Sequence, residues 1–474
     1  MRDVQGARRG DDGSGPANLR REIHGGIAIF LAVAYIVVVE PAVLSGAALG
    51  VSTGIPAGAA FTATCLAAAA ACFIMGWIGR LPIAAAPYMG ENFFFVTALI
   101  PAAAAAGYTE PWRAALAVTL LSGLLLLVVS ATGLRTVLAH GIPATLIQAI
   151  RGGIGLFITF LGLKAAGVVV QNPGTWVGFT PHPASPDLWV TLAGLTATVA
   201  LLARGRSIAL LAGIGITFAL GAAVQRILPD LAPALAQSAA VQSSATLKSL
   251  QLPTALASLP PSPRPLLMGL DWGALLDPRL YGGALVLFLM ILFDATGTLL
   301  AVVASTGSAA NPSAGANDPR FRRGLLADAW GSVLAPLFGT SSVGAYMESA
   351  VGARVGAQSG VAAMVVGFLF LLALPLAPLA TSLGSYPPAT APALIVVGAW
   401  ILAGVREIAW EEPTEAIPAL AVVAGIPLTF SIAHGIALGF VLWPLMKLAA
   451  GRMREVHGVA WVLGALAGIS LLAG

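Results

Sequence analysis

Long apolar runs, each closed by charge, proline or glycine, set the pattern of this chain. They fall at about 23–47, 57–79, 88–106, 114–136, 145–169, 186–203 and 207–228. They resume at about 280–304, 324–339, 345–358, 360–383, 388–404, 414–428 and 429–448. A bilayer core about 30 Å thick needs roughly 20 apolar residues per helix, so the pattern predicts membrane-crossing helices, seven in each half. Residues 229–279 are too broken by proline to span and are predicted to lie at the surface between the halves. One more apolar stretch, 458–474, either crosses or lies in the interface.

Composition narrows the class further. Of 474 residues, 58% are hydrophobic and only 9% charged, with a mean hydropathy of +0.90; a soluble domain carries roughly 25% charged residues. The 24 Lys and Arg and 20 Asp and Glu are too few to solvate a globular surface. Soluble enzymes, nucleic-acid binders and disordered chains are thereby excluded, and the partner of the surface is lipid. The net charge of +4 reflects cytoplasmic Lys and Arg. From Arg20 and Arg21 through Arg80, Arg135, Arg151, Arg204, Arg206, Arg320, Arg322, Arg323 and Arg354 to Lys447, Arg452 and Arg454, the cations share one side if the N-terminus is cytoplasmic. This predicts a multi-pass protein of the cell (inner) membrane. Residues 1–21 read as a disordered cytoplasmic tail. Cys65 and Cys72, seven apart on one helix face, fit buried packing better than a disulfide or metal pair; no metal spacing occurs.

An odd number of spans per half inserts the second half upside down, which predicts a 7+7 inverted repeat. Two short, broken segments stand at matching places: Pro82–Gly90 before 91–106, and Gly339–Gly344 before 345–358. Such interrupted segments in corresponding positions of two halves point to a transport site at mid-membrane. Acids inside spans cost at least about 2.5–3.5 kcal/mol at a helix centre and call for a reason. Glu40, Glu91, Asp294, Asp328 and Glu348 are such acids, with Lys164 and His434 among the bases. Asn92 and Glu348 lie 348 − 92 = 256 apart, Glu40 and Asp294 294 − 40 = 254 apart. These offsets suggest equivalent positions converging on one cavity. Structural roles compete: Asp328 as a pairing residue near Arg320–Arg323, Lys164 at a span end, Glu40 capping an unwound turn before Pro41. His434 fits a packing residue better than a proton relay, but stays a coupling candidate. Of Phe93, Phe94 and Phe95, one ring, taken as Phe93, could stack on a planar solute. Gly152, Gly153 and Gly155 read as close helix packing.

These residues carry a resemblance over nearly the whole chain. It rests on Ala34-Tyr35-Ile36 with Pro41–Ser45, Ala86–Phe94, Gly153–Ile158 with Gly162-Leu163-Lys164, and Phe293–Leu299. It continues through Ala327-Asp328, Gly339–Ser342, Tyr346–Ala350 and Thr414–Ala419. In these the chain resembles the nucleobase–cation symporter-2 superfamily, and within it the azaguanine-resistance branch of purine permeases. The resemblance implies an all-α membrane protein of fourteen spans, in which half-helices at spans 3 and 10 follow short extended segments. It implies a core domain (22–136 and 280–383) working against a gate domain (137–228 and 384–448), with the linker at 229–279 on the outside and a C-terminal basic turn and apolar segment at 449–474. Asp294 and Glu348 would hydrogen-bond a base, span 3 contributing at Asn92. Three departures stand out: Glu40 where the branch has Asn, Glu91 where it has an apolar residue, and His434 where it has Asp. The turn Ser341-Ser342-Val343-Gly344 also holds fewer hydroxyls than expected.

The expected activity is secondary active import of a purine-like base, with hypoxanthine, guanine and adenine as candidates. A planar base offers donors and acceptors around its edge, which suits Asp294, Glu348, Asn92, Ser341 and Ser342, with Phe93 on the ring face. Glu40, Glu91, Asp294 and His434 are the coupling candidates, and the coupling ion is a proton or sodium. No other cofactor is implied; a homodimer through the gate domain is left open. The alternatives are an anion carrier of the same architecture, disfavoured by the acid-rich cavity, and a membrane-embedded enzyme, for which no nucleophile or metal constellation is visible.

Overall fold

The computed structural model describes residues 19–132, 143–305 and 319–473. Span 1 consists of α1 (Leu19–Val33) and α2 (Ile36–Leu44), broken at Ala34 and Tyr35. Helix begins at Leu19, inside the stretch expected to be a tail; residues 1–18 of that stretch, like Arg135 and the end of the run 114–136, lie outside the described residues. Pro41 inside α2 has no N–H to give the helix. There follow α3 (Ala57–Ile74), β1 (Ala85–Pro87), α4 (Met89–Phe94), α5 (Ile100–Ala105), α6 (Pro111–Thr132) and α7 (Ala144–Ala165). A hairpin of β2 (Val169–Asn172) and β3 (Trp176–Phe179) leads to α8 (Pro186–Ala203) and α9 (Ala209–Leu231). The second half holds α10 (Tyr281–Ser305), α11 (Pro319–Phe338), β4 (Val343–Ala345), α12 (Ala350–Val355), α13 (Gly360–Leu372) and α14 (Ala377–Gly384). It ends with α15 (Pro387–Leu402), α16 (Pro413–Thr429), α17 (Ile432–Ala449) and α18 (Gly458–Ala473).

Among the described residues, nine helices are long and apolar enough to cross a membrane. Met347–Val355 and Gly360–Leu372 form a further pair bent by 117°. Four more apolar helices are shorter: Met89–Ala105, Leu374–Gly384, Pro413–Thr429 and Gly458–Gly468. The outer surface is apolar, with Val128, Val199, Phe368, Leu372 and Leu420 exposed, while Thr62, Thr119, Ser122 and Ser332 are buried and bonded inside. That inversion of the soluble pattern is what a lipid solvent requires.

Small residues decide how closely the helices approach. α7 packs on α15 and α16, α16 on α17, and α8 on α9; α13 packs on α1 and α3, and α11 on α3 and α6. A Cβ on Gly155 would lie 2.5 Å from the Leu402 nitrogen, and one on Gly398 2.6 Å from the Gly155 oxygen, so α7 and α15 meet backbone to backbone. Gly152 and Gly153 face Val405 and Ile426 in the same way.

The stretch 229–279 is a strap across one end of the bundle. Its first part holds three single turns, and Asp187 accepts from the backbone of Ala245 and Thr246 at 2.7 and 2.8 Å. Thr246 in turn bonds the Tyr386 hydroxyl at 2.7 Å. Its second part reaches Pro375 through Ser258, Thr62 through Pro261, Leu337 through Met268, and Arg113 through Asp271. One detail departs from the apolar pattern: α7 stops at Ala165, before the run ends at 169, because Gly167 turns left-handed (φ +70°) into the β2–β3 hairpin.

Candidate functional site where two strands cross

β1 and β4 run antiparallel in the interior, Ala85 opposite Ala345 and Pro87 opposite Val343. Each strand is three residues long and fully buried, so its backbone groups must be bonded inside the protein. Tyr88 N–H donates to Ser342 O (3.1 Å) and Tyr346 N–H to Ala84 O (3.0 Å). Ala84 N–H donates to the Ser349 hydroxyl at 3.0 Å, and Ala85 N–H to Cys72 Sγ at 3.2 Å. Cys65 and Cys72 are free and buried, and Cys72 anchors a strand. Each strand ends in a tyrosine, and the Tyr88 and Tyr346 rings stack 6.1 Å apart at 19°. Gly344 makes room for this: a Cβ there would lie 2.2–2.3 Å from the Tyr88 ring.

The two crossing segments recur 346 − 88 = 258 residues apart, as Tyr88-Met89 and Tyr346-Met347. Glu348 therefore corresponds to Gly90 and Asn92 to Ala350, so the offset of 256 pairs residues two positions out of register. The acids on these segments do not mirror each other. They form two unlike groups.

In the first group, Glu40 is fully buried, and its Oε1 accepts from Thr340 (3.1 Å) and Ser341 (2.9 Å). Asn92 is within hydrogen-bond reach of the Glu40 carboxyl, while the Ser342 hydroxyl has no hydrogen-bond partner among the described residues. In the second group, Glu91 points to the other side, within the field of Asp294, Arg151 and Asp328. Successive residues of a helix start diverge by about 100°, which separates Glu91 from Asn92. Asp294 accepts from Arg151 Nε at 3.0 Å, and Arg151 also reaches Phe293 O at 3.3 Å. Gly297 lets the guanidinium lie across α10; a Cβ there would be 2.6 Å from Nη2. Asp328 accepts from Ala345 N–H (2.7 Å) and from Tyr88 (3.4 Å), buttressing the crossing.

Glu348 lies on the turn Met347–Ser349, where the Tyr35 hydroxyl donates to it at 3.4 Å across the break in span 1. Accessibility divides the acids into two sets. Glu40, Glu91 and Asp328 are at most 1% exposed, whereas the Asp294 side chain is 36% exposed and Glu348 is half-buried. α10 packs against the turn that carries Glu348. A small cavity lined by Arg151, Phe293, Asp294, Ile150, Ile154 and Ile436 opens beside Asp294, between α7, α10 and α17.

The remaining sequence candidates lie elsewhere. Phe93 is fully buried and packs edge-on against Phe157 at 6.4 Å, so its faces are committed to α7. His434 is exposed in the first turn of α17, its ring bonded to Ser431 at 2.7 Å. Lys164 reaches the Leu49 carbonyl at 3.5 Å. Sequence reasoning overlooked Tyr35, Tyr88, Tyr346, Thr340 and Arg151 as site residues. The recurring Tyr-Met dipeptide is a signal for two of them; Arg151 reads in the sequence only as one of the cytoplasmic cations.

A family model described as a permease family, Xan_ur_permease, matches residues 20–438. The putative permease MJ0326 of Methanocaldococcus jannaschii is 36% identical over 449 residues, 95% of this chain and 94% of that protein. The guanine/hypoxanthine permease PbuG of Bacillus subtilis is 36% identical over 452 residues, 94% of each. The adenine permease AdeP of Escherichia coli is 34% identical over 437 residues, 92% of this chain and 89% of that one. Among solved structures, the transmembrane domain of the cyanobacterial bicarbonate transporter BicA superposes with a TM-score of 0.60 at 19% identity, covering 88% of this chain and 97% of that one. SLC26A9 gives 0.56 at 12% identity, covering 91% and 66%. At those identities the likeness is one of fold.

Proposed function

Since the chain belongs to this permease family, the nucleobase–cation symporter-2 family, we infer that it is a membrane permease for purine nucleobases and not an enzyme. The named relatives at 34–36% identity over nearly their whole length support this substrate class over the anions carried by its distant fold neighbours. The observation that carries the site is accessibility: of the five interior acids, only Asp294 and Glu348 stand open to a solute. Ring N–H groups of a purine donate to carboxylates, and a half-exposed acid accepts them without first being dug out of the core. Glu348, oriented by Tyr35, accepts from one edge of the base; Asp294, which shares its carboxylate with Arg151, takes part from α10.

The reading extends to the whole architecture: fourteen spans in two inverted repeats of seven, with β1–α4 and β4–α12 as the half-helix entries. The core domain takes 22–136 and 280–383, the gate domain 137–228 and 384–448, matching the two sets of helices that pack among themselves. In this elevator-type scheme the core slides along the gate, and the N-terminus and the arginine-rich ends face the cytoplasm. The strap 229–279 then lies on the outer face, and coupling to a proton or sodium drives import.

Uptake of radiolabelled hypoxanthine, guanine and adenine by cells expressing the protein tests this. Glu348→Gln and Asp294→Asn are expected to cut uptake by about 100-fold each, the scale of a lost charge-assisted hydrogen bond. Wild-type uptake in both variants removes the site assignment, and absence of purine uptake by the native chain removes the substrate class.

A further inference from the structure

Asp294 has a claimant besides the solute, and it stands on the far side of the interface between the two sets of helices. Arg151 belongs to α7 in the gate, Asp294 to α10 in the core. Nε of Arg151 donates to Asp294 Oδ1 at 3.0 Å and Nη2 to Phe293 O at 3.3 Å, and the bare backbone of Gly297 seats the guanidinium. Of the ion pairs between described residues, this one alone joins gate to core; the others stay within one set or its flanking loops. A further polar contact across, Lys164 to the Leu49 carbonyl, is longer at 3.5 Å.

Around the pair the two sets meet through apolar groups. Phe93 of the core lies edge-on to Phe157 of the gate, a Cβ on Gly90 would lie 3.0 Å from Ile154, and Ile436 lines one cavity with Met290. Apolar contacts have no preferred direction and re-form as one surface slides over another. A hydrogen bond is directional and fails when stretched past about 3.5 Å. An apolar interface crossed by one ion pair is therefore fastened in one register.

We propose that Arg151 is a latch that makes sliding depend on solute. Paired with Asp294, it holds the core in this register; a purine that engages both oxygens of Asp294 takes Oδ1 from Nε and releases the core. The pair is exposed enough (26% and 36%) for a neutral base to displace it, since at that exposure it shifts a population by no more than about fivefold. The cavity opens beside Asp294, so the contest takes place where the solute arrives. Release by a purine rests on the permease reading; fastening of core to gate does not.

Flux of labelled hypoxanthine in both directions across proteoliposomes, without an ion gradient, tests it. A latched core crosses slowly without solute, so flux is expected to rise when unlabelled hypoxanthine is added on the opposite side, in the direction whose return step starts from this register. In Arg151→Gln that stimulation is expected to fall about fivefold, and Arg151→Lys, which still pairs, to keep it. A role confined to positioning Asp294 moves KM and leaves the stimulation unchanged. In parallel, Gly90→Cys with Ile154→Cys spans the interface where the two residues approach. Its oxidation to a disulfide, read by mass spectrometry of the linked peptides, reports time spent in this register. Adding Arg151→Gln, or adding hypoxanthine while Arg151 is present, is expected to slow that linkage. Stimulation that is absent from the native protein, or unchanged in Arg151→Gln, overturns the latch and leaves the purine reading standing. Absence of purine flux through the native chain, with linkage still slowed by Arg151→Gln, keeps the fastening and removes the substrate reading. Absence of flux with linkage unchanged removes both.

Discussion

At the scale of single residues, burial and partners sort acids that look alike in the sequence. Asp294 spends a hydrogen bond on Arg151, a pair only partly shielded from solvent (26% and 36% exposed); at that exposure the pair stabilises the fold by at most about 1 kcal/mol. Its consequence is for binding. Arg151→Gln frees a carboxylate oxygen for the purine, and KM is expected to fall about tenfold, the low end for a charge-assisted bond, with Tm little changed. A rise in KM in the uptake assay shows instead that Arg151 positions Asp294 for the solute. Gly344 is the counterpart on the structural side. The methyl of Gly344→Ala would sit inside the Tyr88 ring, and overpacking of this kind costs about 1–3 kcal/mol. A lowered Tm with loss of uptake is expected, measured by thermal unfolding in detergent.

At the scale of elements, close approach and capping do the holding, because lipid offers no hydrophobic drive between helices. The Gly155–Gly398 contact joins α7 to α15. Gly398→Leu is expected to prise them apart and lower the Tm by several degrees, whereas Leu420→Ala on an exposed face is expected to leave it within a degree or so; thermal unfolding compares the two. Before α10, Asp277 bonds the Arg279 guanidinium (2.7 Å), the Arg279 N–H and the Tyr108 hydroxyl. The Arg279 hydrogen bonds push its carboxyl down to about 2. A carboxyl lowered on folding stabilises fully above its ordinary range near 4 and loses that contribution as pH falls toward 2. The loop that seats α10 on the end of α5 is therefore expected to keep its protection across pH 5–8 and to loosen only below pH 4, as read by hydrogen exchange of residues 277–281.

At the scale of the whole molecule, the strap is a covalent bridge laid over both sets of helices, in addition to the chain passages near 136 and 384. Residues 245–250 are tied to Asp187, Tyr386 and Gln225, and residues 258–271 to Pro375, Thr62, Leu337 and Arg113. The stretch 251–257 between these anchor points is mostly exposed. If core slides against gate, this stretch must take up the displacement. Removing three residues from it, which shortens its reach by about 10 Å, is expected to slow turnover severalfold with KM and Tm nearly unchanged. Unaltered turnover argues against relative sliding of the two sets.

Hydropathy alone determined that this chain lives in a membrane, where most of its helices run, and that acids such as Glu40, Asp294 and Glu348 need a reason to be there, because burying a charge in hydrocarbon is costly enough to read from a one-dimensional string. The motifs around Tyr88, Asp294 and Glu348 also carried the family. Partnership was decided only in three dimensions. A two-residue slip in the repeat register hid the stacking of Tyr88 on Tyr346, a cation read as cytoplasmic turned out to hold Asp294, and neighbouring Glu91 and Asn92 went to opposite sides of one helix start. Which acid stands accessible and which is sealed in the interior depends on the angles at which helix ends and strands cross, and those follow from packing among residues hundreds of positions apart.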